Sequence, residues 1–345
     1  FKKIFYLSTV FVLALSSCSD NDETEDSFTP KVFNVMGKVE KGPMIRGSHV
    51  DMRTLDEYMT PTGSFYSTTI DNNLGDFNYG ALKINSPYAQ LTADGYFFNE
   101  IDGELSEGTI KLDAIVDLKD NSTINVNVLT HLKSKRIHHL ITTKGMTFKE
   151  ANAQAQKELL TQFGLQQYAS KDASQFSLTS GDDASGALIA ISSLVLTDRS
   201  DAEIVEYLSI LSNEFGKEGA FSQETKKRIQ SGKNYLNARL DRISENIKNR
   251  YQELGLEVKV KDLAYYFDWD NDGIAGNELD DSESVTLSTT EVNASKEGGE
   301  YTITIESNKP YYLNPPSFDS DSDSGLQELP QDNVPEEEYF GGLYE

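Results

Sequence analysis

The feature that most constrains the fold is a change in hydrophobic periodicity near residue 125. Between residues 32 and 118, short runs such as 63–70 alternate apolar and polar side chains, and Gly, Pro, Asn and Asp separate the runs. From about Asn125 the apolar residues recur at helical spacing, and no proline occurs between Pro87 and Pro310. Alternation is typical of half-buried strands, whereas spacing of three and four residues is typical of helices. The sequence therefore predicts a multidomain α+β protein with its strands ahead of its helices.

The first predicted domain, residues 31–120, is a small β-sandwich, because roughly seven alternating runs fall within it. Three stretches carry a family resemblance: residues 37–39, residues 42–50, and residues 69–77 with the pattern Thr-x-Asp-x-x-x-Gly-x-Phe. They resemble the carboxypeptidase regulatory-like, or transthyretin-like, repeat, in which glycines make the turns. The resemblance implies an Ig/transthyretin-like β-sandwich of the kind that many surface proteins use as a spacer or presentation domain.

The second predicted domain, residues 121–262, is all-α. Two sequence signatures mark helix starts, since in the pairs Thr147–Glu150 and Ser200–Glu203 each side chain can satisfy a backbone N–H near the other residue. Glycines such as Gly164 and Gly255 mark helix ends. The five predicted helices cover residues 127–143, 147–164, 183–196, 200 onwards, and one long helix over 222–254.

An acidic segment, residues 263–283, has a pattern typical of a calcium loop. Carboxylates at alternate positions, then a glycine for a sharp turn, then a later acid can supply calcium with oxygen ligands from one short loop. The segment resembles EF-hand-like and thrombospondin-type loops, although position twelve is Leu279, which leaves Glu278 or Asp280 to close the site. A plain acidic linker is the alternative. Bound Ca2+ would stiffen a domain junction. Its candidate ligands are Asp268, Asp270, Asp272, Glu278 and Asp280.

Residues 284–345 are predicted to be a partial Ig-like β module with an acidic tail. The alternating runs 285–294 and 297–308 resemble the opening of a BACON domain, a Bacteroidetes-associated and often carbohydrate-binding immunoglobulin-like module. Tyr311 and Tyr312 stand where that family usually has Trp, so with Trp269 they are candidate ligand-binding residues for a glycan. The alternative for Trp269 is packing against the calcium loop. Three strands cannot close a sandwich, so either the module continues beyond Glu345, which we expect, or the domain is degenerate.

The N-terminal residues predict export and lipidation. Lys2 and Lys3 precede a short apolar run that ends at Cys18, and about twelve apolar residues are too few to span a membrane. Residues 1–17 therefore predict a signal peptide, and residues 18–30 an acidic tether. The cysteine at the end of the run resembles the lipobox of bacterial lipoproteins, which implies a diacylglyceryl or acyl lipid on Cys18. An ordinary secretory signal with a chance cysteine is the alternative.

A Ser and an acidic run directly after Cys18 are similar to the signal that exports Bacteroidetes lipoproteins to the outer face of the outer membrane. The resemblance implies a surface-exposed, lipid-anchored protein of the bacterial outer membrane. The alternative is that this acidic run is a solvated tether, and a tether is compatible with the export signal.

The charge balance excludes one class of partner. The chain has 56 Asp and Glu against 31 Lys and Arg. Sequence-independent binding to nucleic acid is not expected, because it depends on Lys and Arg neutralising the phosphates. The acids are concentrated in residues 20–26, 268–283 and 319–345, which hold five, seven and nine of them without a basic residue. The acidity therefore belongs to linkers and loops.

No catalytic signature occurs in the sequence. There is no Gly-x-Ser-x-Gly, His-Glu-x-x-His, Walker or Gly-x-Gly-x-x-Gly pattern, and the single Cys belongs to the predicted signal. His131 and His138 lie about 10 Å apart along a predicted helix, too far to share a metal. We therefore expect a protein that is not an enzyme.

Two functions remain open. The first is a non-enzymatic cell-surface lipoprotein accessory to glycan binding and polysaccharide acquisition. The second is a structural stalk or adhesin that presents a C-terminal domain. The expected partners are the outer membrane, through the lipid anchor, and a polysaccharide or surface protein.

Overall fold

The computed structural model of this chain describes residues 30–119, 123–279, 285–287 and 305–307. Both strands and helices occur, which confirms the predicted α+β class. Strands β1 to β9 are Lys31–Glu40, His49–Leu55, Pro61–Thr69, Asp76–Ile84, Tyr88–Gly95, Phe98–Asn99, Glu104–Leu105, Ile110–Asp117 and Val126–Asn127. Helices α1 to α6 are Val128–Lys144, Phe148–Thr161, Asp183–Leu196, Asp201–Glu218, Gln223–Asn237 and Leu240–Glu253.

The strands form two main sheets. One is antiparallel with the order β3-β2-β5-β8, and the other has the order β4-β1-β9, in which β1 pairs antiparallel with β4 and parallel with β9. The predicted alternation is clearest in β5, where Ala89, Leu91 and Ala93 are buried and the residues between them are partly exposed. Inward-facing residues of both sheets belong to one buried cluster. The transthyretin-like identity of this arrangement stays a prediction.

Four of the predicted helices occur close to their predicted bounds. Asn127 caps α1 by accepting the N–H of Thr130, and Gly145 ends the helix with a left-handed backbone. The capping boxes that begin at Thr147 and Ser200 both form, at α2 and α4. Helix α2 ends at Thr161 and leads through a turn to Gly164.

The prediction of one long helix over residues 222–254 was wrong, because the chain breaks between α5 and α6. At the break the N–H of Arg239 donates to the carbonyl of Leu236, 2.7 Å away, instead of continuing the i to i−4 ladder. The carbonyl of Tyr235, which the ladder would have used, accepts the Arg239 guanidinium at 2.6 Å. The arginine side chain thus replaces the lost backbone donor.

The strands and helices share one core. Helix α1 packs against β8 and α4, and buried residues from Val35 in β1 to Tyr251 in α6 form a continuous cluster. Strand β9 lies inside the region predicted to be all-α, and its Val126 pairs with Val39 of β1. The predicted boundary at residues 120 and 121 therefore crosses a continuously packed interior, while the division into domains stays a prediction.

Beyond residue 279 the structure describes one antiparallel pair, β10 (Val285–Leu287) with β11 (Ile305–Ser307). Both strands fall within the alternating runs of the predicted β module. The rest of that module, the predicted signal peptide and the predicted tether lie outside the described residues. Within the described ranges, no helix combines the length and apolar character needed to cross a bilayer.

Candidate metal centre

The loop predicted to bind calcium brings three carboxylates together. Asp268, Asp270 and Asp272 each place one oxygen within 4.8 Å of the others. Asp268 is half-buried, and the other two are exposed. Three negative charges at this spacing repel one another, so the arrangement requires either fixed donors or a bound cation.

Backbone donors hold the three carboxylates in place. Asp268 Oδ2 accepts the N–H of Gly273 at 3.0 Å, Asp270 Oδ1 accepts that of Asp272 at 3.0 Å, and Asp272 Oδ1 accepts that of Ile274 at 2.7 Å. The turn needs Gly273, whose φ of 94° is one that side chains with a Cβ rarely adopt. The acid-x-acid-x-acid-Gly spacing thus lets the backbone N–H groups of the loop donate to the loop's own carboxylates.

Glu278 contacts the backbone at the start of the loop, although its carboxylate is not one of the three grouped within 4.8 Å. Its Oε1 accepts the N–H groups of Trp269 and Asp270, at 2.5 and 3.3 Å. Of the two predicted closing residues, the structure therefore brings Glu278 to the loop, and Asp280 lies outside the described residues.

Two carboxylate oxygens of this loop are buried without a hydrogen-bond partner in the described part of the chain, Asp268 Oδ1 and Glu278 Oε2. Buried carboxylate oxygens normally accept hydrogen bonds, because leaving one without a donor costs its full desolvation penalty. Oxygens are also the ligands that calcium prefers. The donor set therefore fits a hard divalent cation.

The electrostatics of Asp268 agree with an uncompensated site. Burial raises the pKa of Asp268, and the neighbouring carboxylates of Glu278 and Asp270 add to that effect. The positive charge of Lys233 in α5 and the N–H of Gly273 oppose it by lowering that pKa. The Lys233 ammonium is held by the Asp268 backbone carbonyl and by Asn271 Oδ1, the latter at 2.7 Å. One ammonium offsets only part of the charge of four carboxylates.

The loop is fastened to the turn that follows α2. The N–H of Ala275 donates to the Gly164 carbonyl at 2.8 Å, and Gln166 Nε2 donates to the Gly273 carbonyl at 2.8 Å. A Cβ at Gly164 would lie 2.8 Å from the Cβ of Asp268. The two segments are thus in close contact although about a hundred residues separate them.

Of the predicted ligand-binding residues, Trp269 lies within the loop, and its indole contacts the residues just before it. Trp269 is half-buried, its indole N–H donates to the Ala264 carbonyl at 3.0 Å, and its ring centroid lies 5.1 Å from that of Phe267. These indole contacts lie just before the loop, and a role of Trp269 in ligand binding stays a prediction. The lipidation candidate Cys18 and the glycan candidates Tyr311 and Tyr312 lie outside the described residues.

Sequence reasoning missed the residues that support the loop from a distance. Lys233, Gln166 and Gln167 all donate to it, but they lie 35 or more positions away and have no local pattern in common. Of the histidines considered for a metal site, His131 is largely buried, and its Nδ1 accepts the N–H of Asp113 at 3.2 Å. That contact links α1 to β8.

No family model, curated protein or solved structure matches this chain.

Proposed function

We propose that this chain is a non-enzymatic lipoprotein of the bacterial cell surface that is accessory to polysaccharide binding. The proposed anchor is a lipid on Cys18 in the outer membrane, supported by the short apolar run before that cysteine and the acidic run after it. The glycan role is supported by the likeness of residues 284–313 to the opening of a BACON domain. Polysaccharide or surface-protein partners would meet the part of the chain held away from the membrane.

We also propose that the Asp268 loop binds Ca2+. The observation that carries this proposal is Asp268 Oδ1, a buried carboxylate oxygen without a hydrogen-bond partner among the described residues, in a group of three aspartates whose ligand oxygens lie within 4.8 Å of one another. A bound divalent cation would supply the positive charge that these oxygens lack. Because the loop contacts the segment after α2, the cation would fix the residues leading to the C-terminal module against the helices.

A structural stalk or adhesin is the second candidate. Trp269 favours the stalk, because its indole N–H donates to the Ala264 carbonyl and its ring packs against Phe267 instead of being presented to a sugar. A calcium-stiffened loop between a folded body and a further β module suits a protein whose task is to hold that module at a fixed angle.

The test uses the lipid-free chain from Ser19 to Glu345, passed over immobilised plant and mucin polysaccharides with calcium or with a chelator. The accessory role predicts retention on at least one polysaccharide. Retention on none of them would contradict that role and favour the stalk. Loss of retention in chelator would connect the Asp268 loop to binding.

A further inference from the structure

Lys233 is a buried cation that lies against the Asp268 loop. It belongs to α5, and only 6% of its surface is exposed. Lysine is rarely buried to this degree, because removing an ammonium from water is costly unless nearby groups compensate its charge. The groups that surround Lys233 must therefore provide that compensation.

The ammonium contacts two parts of the loop at once. It donates to the backbone carbonyl of Asp268, the first candidate ligand, and to Asn271 Oδ1 at 2.7 Å. Asn271 lies between the other two grouped aspartates, Asp270 and Asp272, and has a left-handed backbone with a φ of 62°. The Lys233 charge also attracts the Asp268 carboxylate. Lys233 thus bridges the loop and places a positive charge beside its carboxylates.

A fixed positive charge has two opposite effects on such a loop. Without calcium, it offsets part of the repulsion among the three grouped carboxylates. With calcium, it repels the bound ion, because two cations then share the same carboxylates. The ammonium therefore favours the calcium-free loop over the calcium-bound loop.

The loop also has attachments that do not involve Lys233. The Gly164 carbonyl accepts the N–H of Ala275, and the Gly273 carbonyl accepts Gln166 Nε2, both at 2.8 Å. Backbone N–H groups of the loop itself hold the grouped carboxylates. Removing the Lys233 charge should therefore change the electrostatics of the loop more than its shape.

We propose that Lys233 is an internal counter-ion that stabilises the calcium-free loop and lowers the affinity of the loop for calcium. The inference rests on the proposed calcium site and assigns part of its affinity to a residue 35 positions before the first ligand. Lys233 is thus a positioning residue whose charge, as well as its hydrogen bonds, sets how much calcium the site needs.

The experiment titrates calcium chloride into the lipid-free chain by calorimetry and melts each protein in chelator and in about 10 mM calcium. The variants are Lys233→Met, which removes the charge at similar side-chain length, and Lys233→Arg, which keeps the charge. The matched control is Lys226→Met, which makes the same charge change at an exposed lysine of α5, about 10 Å away along the helix axis.

We expect Lys233→Met to bind calcium about tenfold more tightly than the parent chain, and Lys233→Arg and Lys226→Met to stay within about twofold of it. In chelator, Lys233→Met should melt at a lower temperature than the parent chain. Calcium should raise its melting temperature by more than that of the parent chain, because tighter binding stabilises the folded state more at the same calcium concentration.

Unchanged or weaker calcium binding in Lys233→Met would overturn the role of the Lys233 charge and leave the calcium site standing. Equal tightening in Lys226→Met would also overturn it, since the effect would then not be local. A Lys233→Met chain that stays unfolded in calcium would overturn it too, because calcium should replace the missing charge. No calcium binding by the parent chain would overturn both the calcium site and this inference.

Discussion

At the scale of single residues, Glu40 is a carboxylic acid with no access to solvent. It lies at the end of β1 and accepts hydrogen bonds from the Ser177 hydroxyl at 3.0 Å and the Leu178 N–H at 3.3 Å. Desolvation raises its pKa to about 7, while those hydrogen bonds and the charge of Lys38 lower it and Asp76 raises it further. The acid therefore joins β1 to the segment before α3 and is protonated more readily in the folded chain.

This raised pKa predicts a pH-dependent stability. A folded-state pKa of about 7 against an ordinary 4.5 means that the folded chain binds the proton more tightly, so its contribution is present below pH 4.5 and is lost as pH rises through 7. Relative to Glu40→Gln, the parent chain should lose about 3 kcal/mol of unfolding free energy between pH 4.5 and 7.5. Urea unfolding of both proteins across that range measures the difference.

The control for this measurement is Glu57→Gln, which alters an exposed carboxylate in the turn before β3. This variant removes one carboxylate that is exposed, so it separates the loss of a charge from the loss of a buried acid. The parent chain and Glu40→Gln are compared by their unfolding free energies. If the difference between them stayed constant from pH 4.5 to 7.5, the raised pKa of Glu40 would be contradicted.

A second prediction concerns the buried ammonium of Lys133. It donates to Asp172 Oδ2 at 2.7 Å and to Gln156 Oε1 at 3.0 Å. Although desolvation opposes the effect, the Lys133 charge and the hydrogen bonds from Ser174 hold the pKa of Asp172 well below its usual range. Asp172→Asn would leave the ammonium buried without its carboxylate, so we expect a loss of about 3 kcal/mol in unfolding free energy at pH 7.

The matched control is Asp94→Asn, which breaks the exposed pair with Lys111, 3.4 Å apart. Exposed pairs contribute about 0 to 1 kcal/mol, so urea unfolding should detect little change. Equal losses in the two variants would contradict the burial argument.

At the scale of elements, the helix caps are where local sequence decides structure. Thr147 accepts the Glu150 N–H, and the Glu150 carboxylate accepts the Thr147 N–H at 3.1 Å. Thr147→Ala should therefore lower the unfolding free energy by about 1 kcal/mol in a thermal or urea melt, whereas Thr147→Ser should retain the cap. Equal stability of the alanine and serine variants would contradict a working cap.

The capping boxes could be predicted because both partners lie three residues apart in the chain. The break between α5 and α6 could not, since neither proline nor glycine marks it and the replacement donor is the side chain of Arg239. The alternation in β5 was also visible, because it needs only the sequence of one strand. Elements were thus predictable wherever their cause is local.

At the scale of the whole molecule, the missing information is long-range contact. Spacing alone predicted the loop over Asp268, Asp270 and Asp272, but it left open whether Glu278 or Asp280 closes the loop. It also could not indicate that Lys233 and Gly164 support the loop. Each of those depends on how the shared core brings distant segments together.

The contact between the loop and the α2 turn gives a prediction of its own. In Gly164→Ala the new Cβ would lie 2.8 Å from the Asp268 Cβ and 2.9 Å from the Ala275 N, and the residue would keep a φ of 70°. We expect weaker calcium binding by about tenfold, because the loop must shift its first ligand. Isothermal titration of calcium measures the affinity.

Gly145→Ala is the matched control, since Gly145 has a φ of 67° and nothing lies within 4 Å of its added Cβ. Both variants carry a similar backbone cost, and only Gly164→Ala crowds the loop. Equal calcium affinity in the two variants would contradict the proposed link between the loop and the α2 turn.

The central claim, that the Asp268 loop is a calcium site, is tested most directly by titrating calcium into the metal-free chain and following Trp269 fluorescence. Trp269 is the chain's single tryptophan and lies within the loop, so it reports on that site. We predict saturable binding with a Kd on the order of 10⁻⁴ M, as in extracellular modules, and its loss in Asp268→Asn/Glu278→Gln. No fluorescence change up to about 10 mM calcium, or the same response in the double variant, would contradict the claim.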